Sequence, residues 1–267
     1  MCNRNIDLAE LKQLQLEMLI EVDKYCRQHK INYSLAYGTL LGAVRHGGYI
    51  PWDDDVDIMM PREDYERFMT GFCAPKMEAY SFMKTENYFL PFGKVVRTDT
   101  VLEENVSIKS NMGIYLDIFP IDVLPNSVYK RDLLLRKKKF LNALYQIKIV
   151  KISSKRSWLK NVILGLGKLM ILCYPLKCLL KSMDKISRSC QNMKSDYYGS
   201  IVHADNISNE VYKSEMFSSY VELVFEGVRF KAVKLYVSML TQNYGDYMQL
   251  PPVEKRVSHH SFNAYWK

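Results

Sequence analysis

The chain has 267 residues, of which 48% are hydrophobic and 25% charged, and this composition excludes a disordered chain. That length allows one large domain or a core with an appended module. The net charge of +8 is unevenly distributed along the chain. Residues 128–200 contain 17 Lys and Arg against 3 Asp and Glu, a local net charge of +14, so the rest of the chain has a net charge of −6. The acidic part would suit metal ions, and the basic part would suit phosphates, acidic glycans or a membrane surface. Six scattered cysteines without a Cys-x-x-Cys pair argue against structural zinc and fit a reducing cytoplasm.

The first predicted element is an amphipathic helix from Asp7 to Cys26, with Asp7 as its N-cap. A strand is predicted from Ile31 to Tyr37, where apolar residues alternate with others. The Gly38-Thr39 turn would end that strand and present a hydroxyl and backbone N–H groups to a phosphate at the start of a short helix. A turn that binds nothing would be the better interpretation of Gly38 and Thr39 alone. Their position just ahead of an acidic strand favours the phosphate.

The strongest signal is the run Pro51-Trp52-Asp53-Asp54-Asp55-Val56-Asp57. We predict a strand that begins at Asp55 and places Asp55 and Asp57 on one face. Two carboxylates that point the same way repel each other unless a cation lies between them, and oxygen ligands suit Mg²⁺ or Mn²⁺ bound with substrate phosphates. Asp53 and Asp54 are interpreted as residues that shape the loop. An exposed acidic turn is the alternative.

A third carboxylate, Asp117, lies within the apolar strand predicted from Gly113 to Asp122. Burying a lone carboxylate is costly unless it is paired or coordinated, so Asp117 is a good third ligand. Asp122 follows Pro120 and is interpreted as a loop or cap residue.

Between the two acidic segments, a helix is predicted from Pro61 to Phe72, where it would cover the sheet.

Several cations are candidates for phosphate contacts. Arg45 could contact a phosphate or end a helix in solvent. A strand predicted from Phe92 to Arg97 carries Lys94 and Arg97, which could reach phosphate oxygens or be solvated on an edge strand. Near the C-terminus, a cluster that contains Lys255, Arg256 and His259 could hold phosphates or form a solvated tail.

The basic region from Val128 to Ser200 is predicted to contain helices over Lys130–Ala143 and Trp158–Met183, the second interrupted near Pro175. Lysines also interrupt the apolar run of the second helix, so it lacks the roughly 20 apolar residues of a spanning helix. Packing against the core is narrowly favoured over an interfacial segment that touches a negative membrane. A strand over Val228–Val233 and a helix over Lys234–Asn243 follow.

With these segments in view, the chain resembles the LicD-type phosphocholine transferase family, which includes the fukutin-type enzymes. The matching segments are GTLLGAVRHGGYIPWDDDVDI (38–58), FGKVVRTDT (92–100), YLDIFPID (115–122) and YGDYMQLPPVEKRVSHH (244–260). The resemblance is weakest across residues 128–200. It implies an α/β fold of the nucleotidyltransferase-like, polymerase β-type class, with a mixed sheet, flanking helices and an additional basic helical region. Fukutin-like relatives carry a zinc module that nothing here matches, which favours a bacterial-type enzyme.

The implied activity is the transfer of a phospho-alcohol, with phosphocholine as first candidate, from a CDP-activated donor to a hydroxyl of a cell-surface glycan. That glycan would be a lipopolysaccharide, teichoic acid or capsule precursor, and could be lipid-linked. The resemblance implies that Asp55, Asp57 and Asp117 bind Mg²⁺ or Mn²⁺, or that Asp117 acts as general base. Gly38 and Thr39 would seat a phosphate. The remaining candidate substrate contacts are Arg45, Lys94, Arg97, Lys255, Arg256 and His259. The expected partners are CDP-choline or another CDP-alcohol and the glycan, and no nucleic acid.

We expect a catalytic core over residues 1–127, a basic helical insert over 128–200 and a C-terminal segment over 201–267 that packs back on the core. The expected location is the cytoplasm, with peripheral association at the inner face of the plasma membrane left open. One alternative function is a nucleotidyltransferase that adds NMP to a small molecule or RNA and releases pyrophosphate instead of CMP. Another is a non-catalytic membrane-associated scaffold, whose function would survive Asp55→Ala or Asp57→Ala. Choline, ethanolamine, glycerol and ribitol all remain open as the donor alcohol.

Overall fold

A computed structural model describes residues 4–104, 112–153, 156–202, 210–257 and 262–267. The helices are α1 Leu8–Gln28, α2 Tyr37–Arg45, α3 Arg62–Gly71, α4 Val128–Ile149, α5 Trp158–Met170, α6 Leu176–Ser187 and α7 Tyr236–Tyr244. The strands are β1 Asn5–Ile6, β2 Ser34–Leu35, β3 Asp57–Pro61, β4 Cys73–Ala74, β5 Met77–Tyr80, β6 Gly93–Arg97, β7 Thr100–Glu104, β8 Tyr115–Leu124, β9 Tyr197–Gly199, β10 Val211–Lys213, β11 Tyr220–Phe225, β12 Val228–Val233 and β13 Phe262–Trp266. These elements confirm the predicted α/β class with a mixed sheet and flanking helices.

The main sheet of the described residues has eight strands, with β8 in its middle. β8 runs parallel to β3, where Asp57 lies opposite Asp117, and antiparallel to β6, where Lys94 lies opposite Asp117. The order along the sheet is β10-β9-β8-β6-β5-β4, and β2 pairs with β3. Because residues paired across neighbouring strands point to the same face, three charged side chains meet at one level of the sheet.

Strands β3 and β8 lie in the hydrophobic core, and their apolar residues show why. Ile58, Met59 and Met60 on β3 are all buried, which is the pattern of a strand covered on both faces. Helix α1 contributes buried residues at steps of three and four, as the amphipathic pattern predicts. Asp7 accepts a hydrogen bond from the backbone N–H of Glu10 at 2.8 Å, which confirms it as the N-cap.

Two boundaries at the acidic segment differ from the prediction. The strand predicted from Ile31 to Tyr37 is only Ser34–Leu35, and α2 already begins at Tyr37. Tyr37 adopts the left-handed region with φ of 42°, so the strand cannot continue through it. The second difference is that β3 begins at Asp57 and not at Asp55, which leaves Asp55 in the preceding loop.

The interpretation of Asp122 as a loop or cap residue is wrong. Pro120 does not end the strand, because it pairs with Met60 within the parallel ladder, and β8 continues to Leu124. The Asp122 carboxylate accepts two hydrogen bonds of 2.7 Å from the Arg62 guanidinium, and both side chains are buried. Arg62 also contacts Asp184 at 3.1 Å, so this ion-pair network connects β8, α3 and α6.

The basic region contains α4, α5 and α6, and the predicted break near Pro175 is confirmed. α4 and α6 pack together around Lys138, whose ammonium donates hydrogen bonds to the Ser187 hydroxyl and the Met183 carbonyl. After α6 the chain returns to the main sheet as β9. Of the helices that the structure describes, none has both the length and the apolar character needed to cross a membrane.

Candidate active site

The centre of the site is the level of the sheet where β3, β8 and β6 bring Asp57, Asp117 and Lys94 together. Lys94 Nζ lies 2.5 Å from Asp117 Oδ1 and 3.1 Å from the centroid of the Tyr115 ring. The side chains of Lys94 and Asp57 are almost completely buried. A buried lysine in contact with one carboxylate compensates only part of the negative charge gathered here.

Asp57 has a shifted pKa, which both burial and the neighbouring carboxylates affect. Burial raises its pKa well above the ordinary value, and the charges of Asp55, Asp117 and Asp53 raise it further, while Lys94 acts in the opposite direction. Such mutual repulsion within a buried site is the electrostatic condition that a bound cation relieves.

The loop before β3 adds to this charge. Ligand atoms of Asp53, Asp54 and Asp55 all lie within 4.8 Å of one another. Burial and the neighbouring Asp55 raise the pKa of Asp53 to about 7. Asp53 and Asp54 therefore lie in the same cluster as Asp55, one of the predicted ligands. We call the set of Asp53, Asp54, Asp55, Asp57 and Asp117 the acidic centre.

Three residues outside the acidic centre position its loop and strand. Thr39, in the first turn of α2, accepts a hydrogen bond of 2.8 Å from the backbone N–H of Asp57. Gln15 of α1 is buried, and its amide nitrogen donates to the Asp54 carbonyl at 3.1 Å. Gly38 leaves room for Asp53, because a Cβ at Gly38 would overlap Asp53 Oδ2. The sequence pattern of α1 predicted a packing helix and gave no sign of the role of Gln15.

The charges of Arg45 and Arg256 influence each other, and Arg256 lies beside the residue that precedes the acidic loop. Burial lowers the pKa of Arg45, and the charge of Arg256 contributes to that change. The Arg256 guanidinium lies 5.6 Å from the ring centroid of Trp52, the residue that precedes Asp53. Arg45 Nη1 donates to the Tyr247 carbonyl at 2.9 Å, which ties the segment after α7 to the end of α2.

Tyrosines and a glutamate border the acidic centre on another side. The Tyr37 hydroxyl donates to Glu210 at 2.9 Å. Burial raises the pKa of Tyr244, and the charges of Asp57, Asp53 and Glu210 add to that shift. Prediction from sequence missed Glu210 and Tyr37, because a single glutamate and a strand-end tyrosine carry no motif.

Other predicted contacts lie away from the acidic centre. Arg97 points to the opposite face of β6 from Lys94, and it forms ion pairs with Asp99 at 2.9 Å and Glu17 at 3.2 Å. Lys255 is exposed on the short 3₁₀ turn Val253–Lys255. His259 lies outside the described residues. The substrate contacts predicted for these residues, and for Gly38 and Thr39, stay predictions.

The acidic centre fits a hard divalent cation. The carboxylate oxygens of Asp53, Asp54 and Asp55 in the loop lie within 4.8 Å of one another, and Asp57 and Asp117 lie opposite each other on the adjacent strands β3 and β8. Carboxylate oxygen is the ligand type that Mg²⁺ and Mn²⁺ prefer. Burial first, and then repulsion from neighbouring carboxylates, raise the pKa values of Asp53 and Asp57, and a bound cation would oppose both effects. The chemistry of this donor set suits binding and neutralising a phosphate-bearing substrate.

This chain is similar to known proteins along most of its length. The model of the LicD/FKTN/FKRP nucleotidyltransferase domain matches residues 30–152, a range that includes all of the acidic centre. Lipopolysaccharide cholinephosphotransferase LicD of Haemophilus influenzae is 31% identical over 272 residues, which cover 98% of this chain and 99% of that protein. An uncharacterized protein of Rickettsia typhi is 44% identical over 84 residues, or 31% of this chain and 27% of its own length. The chain therefore belongs to the LicD family and is a transferase of that family.

Proposed function

We propose that the protein transfers phosphocholine from CDP-choline to a hydroxyl of a cell-surface glycan of the lipopolysaccharide type. The observation that carries this proposal is the acidic centre, set within a chain that aligns along nearly its whole length with a lipopolysaccharide cholinephosphotransferase. The carboxylates of the acidic centre would suit a nucleoside diphosphate bound through a cation, and Arg256, whose guanidinium lies 5.6 Å from the ring centroid of Trp52, would approach a phosphate from the start of the acidic loop.

In the proposed reaction, the acceptor hydroxyl oxygen attacks the phosphorus that bears choline. The bond from that phosphorus to the oxygen of CMP breaks, CMP leaves, and the hydroxyl proton passes to a carboxylate. Asp117 is a candidate for that base as well as for a cation ligand. Mg²⁺ or Mn²⁺, when bound, would neutralise the donor diphosphate.

The protein's own part in this chemistry is mainly positioning. Thr39 fixes the backbone at Asp57, Lys94 holds Asp117, and Gln15 holds the loop at Asp54. Because these groups are buried and hydrogen-bonded, the carboxylates need little reorganisation when the donor arrives. Arg45 and Arg256 would contact donor phosphates from the loop side.

We further infer that the core is nucleotidyltransferase-like. The support is the family description, together with carboxylates paired across the parallel strands β3 and β8 beside the first turn of α2. This likeness also keeps a true nucleotidyltransferase as the second candidate. The two reactions differ in the bond that breaks, so their leaving groups separate them.

Product identification tests this proposal. The full-length protein is incubated with Mg²⁺, purified lipopolysaccharide lacking phosphocholine, and CDP-choline, CDP-ethanolamine, CDP-glycerol or CDP-ribitol in parallel. We expect CMP release with CDP-choline, dependent on the acceptor, and a matching mass increase of the glycan. A teichoic acid or capsule precursor serves as the second acceptor. Pyrophosphate release from CTP without CMP release from any CDP-alcohol would instead assign the nucleotidyltransferase reaction.

A further inference from the structure

Helix α5 presents an apolar surface to solvent. Seven of its large apolar side chains are exposed, with exposed fractions from 46% for Val162 to 85% for Met170. We call this set the α5 apolar face. Its members are Trp158, Leu159, Val162, Ile163, Leu166, Leu169 and Met170. Exposed apolar residues are ordinary when isolated, but a continuous set on one short helix marks an interaction site.

The seven residues form one stripe. At about 100° per residue in an α-helix, they fall within an arc of roughly 140°, with Trp158 and Ile163 at its two edges. A helix that packed on its own core in the usual way would turn this stripe inward. Here the stripe faces outward, which reverses the normal amphipathic arrangement.

The opposite side of α5 binds the helix to the protein through mostly small and polar residues. Gly167 lies close to Ile147 of α4, with a Cβ at Gly167 only 3.2 Å from Ile147 Cγ2. Lys168 Nζ donates to the Lys148 carbonyl at 3.0 Å, and Asn161 donates to the Ser153 carbonyl at 2.9 Å. These contacts fix the rotation of α5, so the outward direction of the apolar face is built into the packing.

In the sequence that surrounds the α5 apolar face, every charged residue is a cation. Residues 133–183 contain 12 Lys and Arg and no Asp or Glu. Lys160 on α5 and Lys177 on α6 are exposed. An apolar stripe about 20 Å long with a basic surround complements the headgroup region of an anionic bilayer, where apolar side chains enter the interface and lysines meet lipid phosphates.

We propose that the α5 apolar face docks the protein on an anionic membrane surface, with the helix axis lying in the plane of the interface. A second copy of the chain is a less suitable partner for the α5 apolar face, because two regions that each carry 12 cations and no acidic residue would repel each other. Docking would place the transferase at the surface where lipid-anchored substrates reside. The proposal stands independently of the donor and acceptor.

Vesicle sedimentation of the full-length protein tests this proposal without donor, acceptor or metal. We expect it to sediment with phosphatidylcholine vesicles that contain phosphatidylglycerol, and far less with phosphatidylcholine alone. The double variant Ile163→Ser/Leu166→Ser should bind the anionic vesicles at least roughly tenfold more weakly, because two apolar side chains no longer enter the interface. Lys160→Glu/Lys177→Glu should weaken binding by about tenfold at low salt and by less at high salt.

The matched control is Met83→Ser/Val224→Ser, which makes the same kind of change at exposed apolar residues on other elements. It should bind as the wild type does. Circular dichroism and thermal unfolding verify that each variant is folded. Equal vesicle binding by the wild type and Ile163→Ser/Leu166→Ser would overturn the proposal. So would a dimer in sedimentation equilibrium that the same two substitutions dissociate, with no binding to vesicles.

Discussion

Thr39 shows at the scale of a single residue how the acidic centre is assembled. Its hydroxyl oxygen accepts the Asp57 N–H at the point where β3 begins, so one buried side chain joins α2 to the strand that carries a key carboxylate. Strand pairing cannot supply this contact. A hydroxyl is required, because a valine of the same shape leaves the Asp57 N–H without that partner.

We therefore expect Thr39→Val to lower the free energy of unfolding by about 1–3 kcal/mol and to reduce turnover, since the Asp57 backbone loses its fixed position. Thr39→Ser keeps the hydroxyl and should restore most of the turnover. Urea denaturation and initial rates measure the two effects. If Thr39→Val retains wild-type turnover, Thr39 does not position Asp57.

At the scale of elements, the buried network of Arg62, Asp122 and Asp184 joins α3 and α6 to β8. Breaking a buried ion pair by removing one partner leaves an uncompensated charge and costs about 3–5 kcal/mol, whereas replacing both partners by apolar residues is often neutral. Arg62→Met should therefore unfold at much lower urea concentration than Arg62→Met/Asp122→Leu. Since neither residue belongs to the acidic centre, turnover per folded molecule should be retained in both. Equal stability of the single and double variants would contradict this account.

Because Lys138 is buried where α4 packs against α6, we expect the free energy of unfolding to depend on pH. Burial lowers the pKa of Lys138 from its ordinary value of 10.5 to about 8. The folded state thus gives up its proton more readily than the unfolded state, and the cost of burying the charge is fully present below pH 8. As the pH rises from about 8 to 10.5, that cost disappears.

The wild type should accordingly gain stability relative to Lys138→Met by roughly 2–3 kcal/mol across that pH range. Chemical denaturation of both proteins at several pH values measures the difference, and the shared titration of other groups cancels in the comparison. Parallel stability curves for the two proteins would show that the Lys138 ammonium is not buried as described.

For the molecule as a whole, local patterns predicted much of the fold. The helix that starts at Asp7, the strand over Val228–Val233, and the break near Pro175 all follow from periodicity, caps and proline chemistry. The apolar run predicted the strand with Asp117, and the cost of burying a lone carboxylate predicted that Asp117 is paired or coordinated; Lys94 pairs with it. Each of these features is encoded within a short stretch of chain.

Other features depend on distant parts of the chain and could not be predicted locally. Asp53 and Asp54 join the acidic centre because Gly38 and Gln15 accommodate and anchor their loop. Asp122 of β8 has a structural role only because Arg62 of α3, 60 residues earlier in the chain, pairs with it. The outward direction of the α5 apolar face is set by its packing on α4, since the same stripe would be compatible with burial. Tertiary contacts of this kind leave no periodic signal in the sequence.

The central claim is that the acidic centre carries out the transfer, and CMP release by Asp57→Asn tests it most directly. The substitution keeps the size of the side chain and removes one charge from a crowded, buried site, so the variant should fold and be at least as stable as the wild type. Asp132→Asn is the matched control, because Asp132 is an exposed carboxylate of α4 paired with Arg136. We predict that Asp57→Asn releases CMP from CDP-choline at least roughly a hundredfold more slowly than the wild type, while Asp132→Asn is unchanged. A folded Asp57→Asn protein whose rate stays within a few-fold of the wild type would contradict the account.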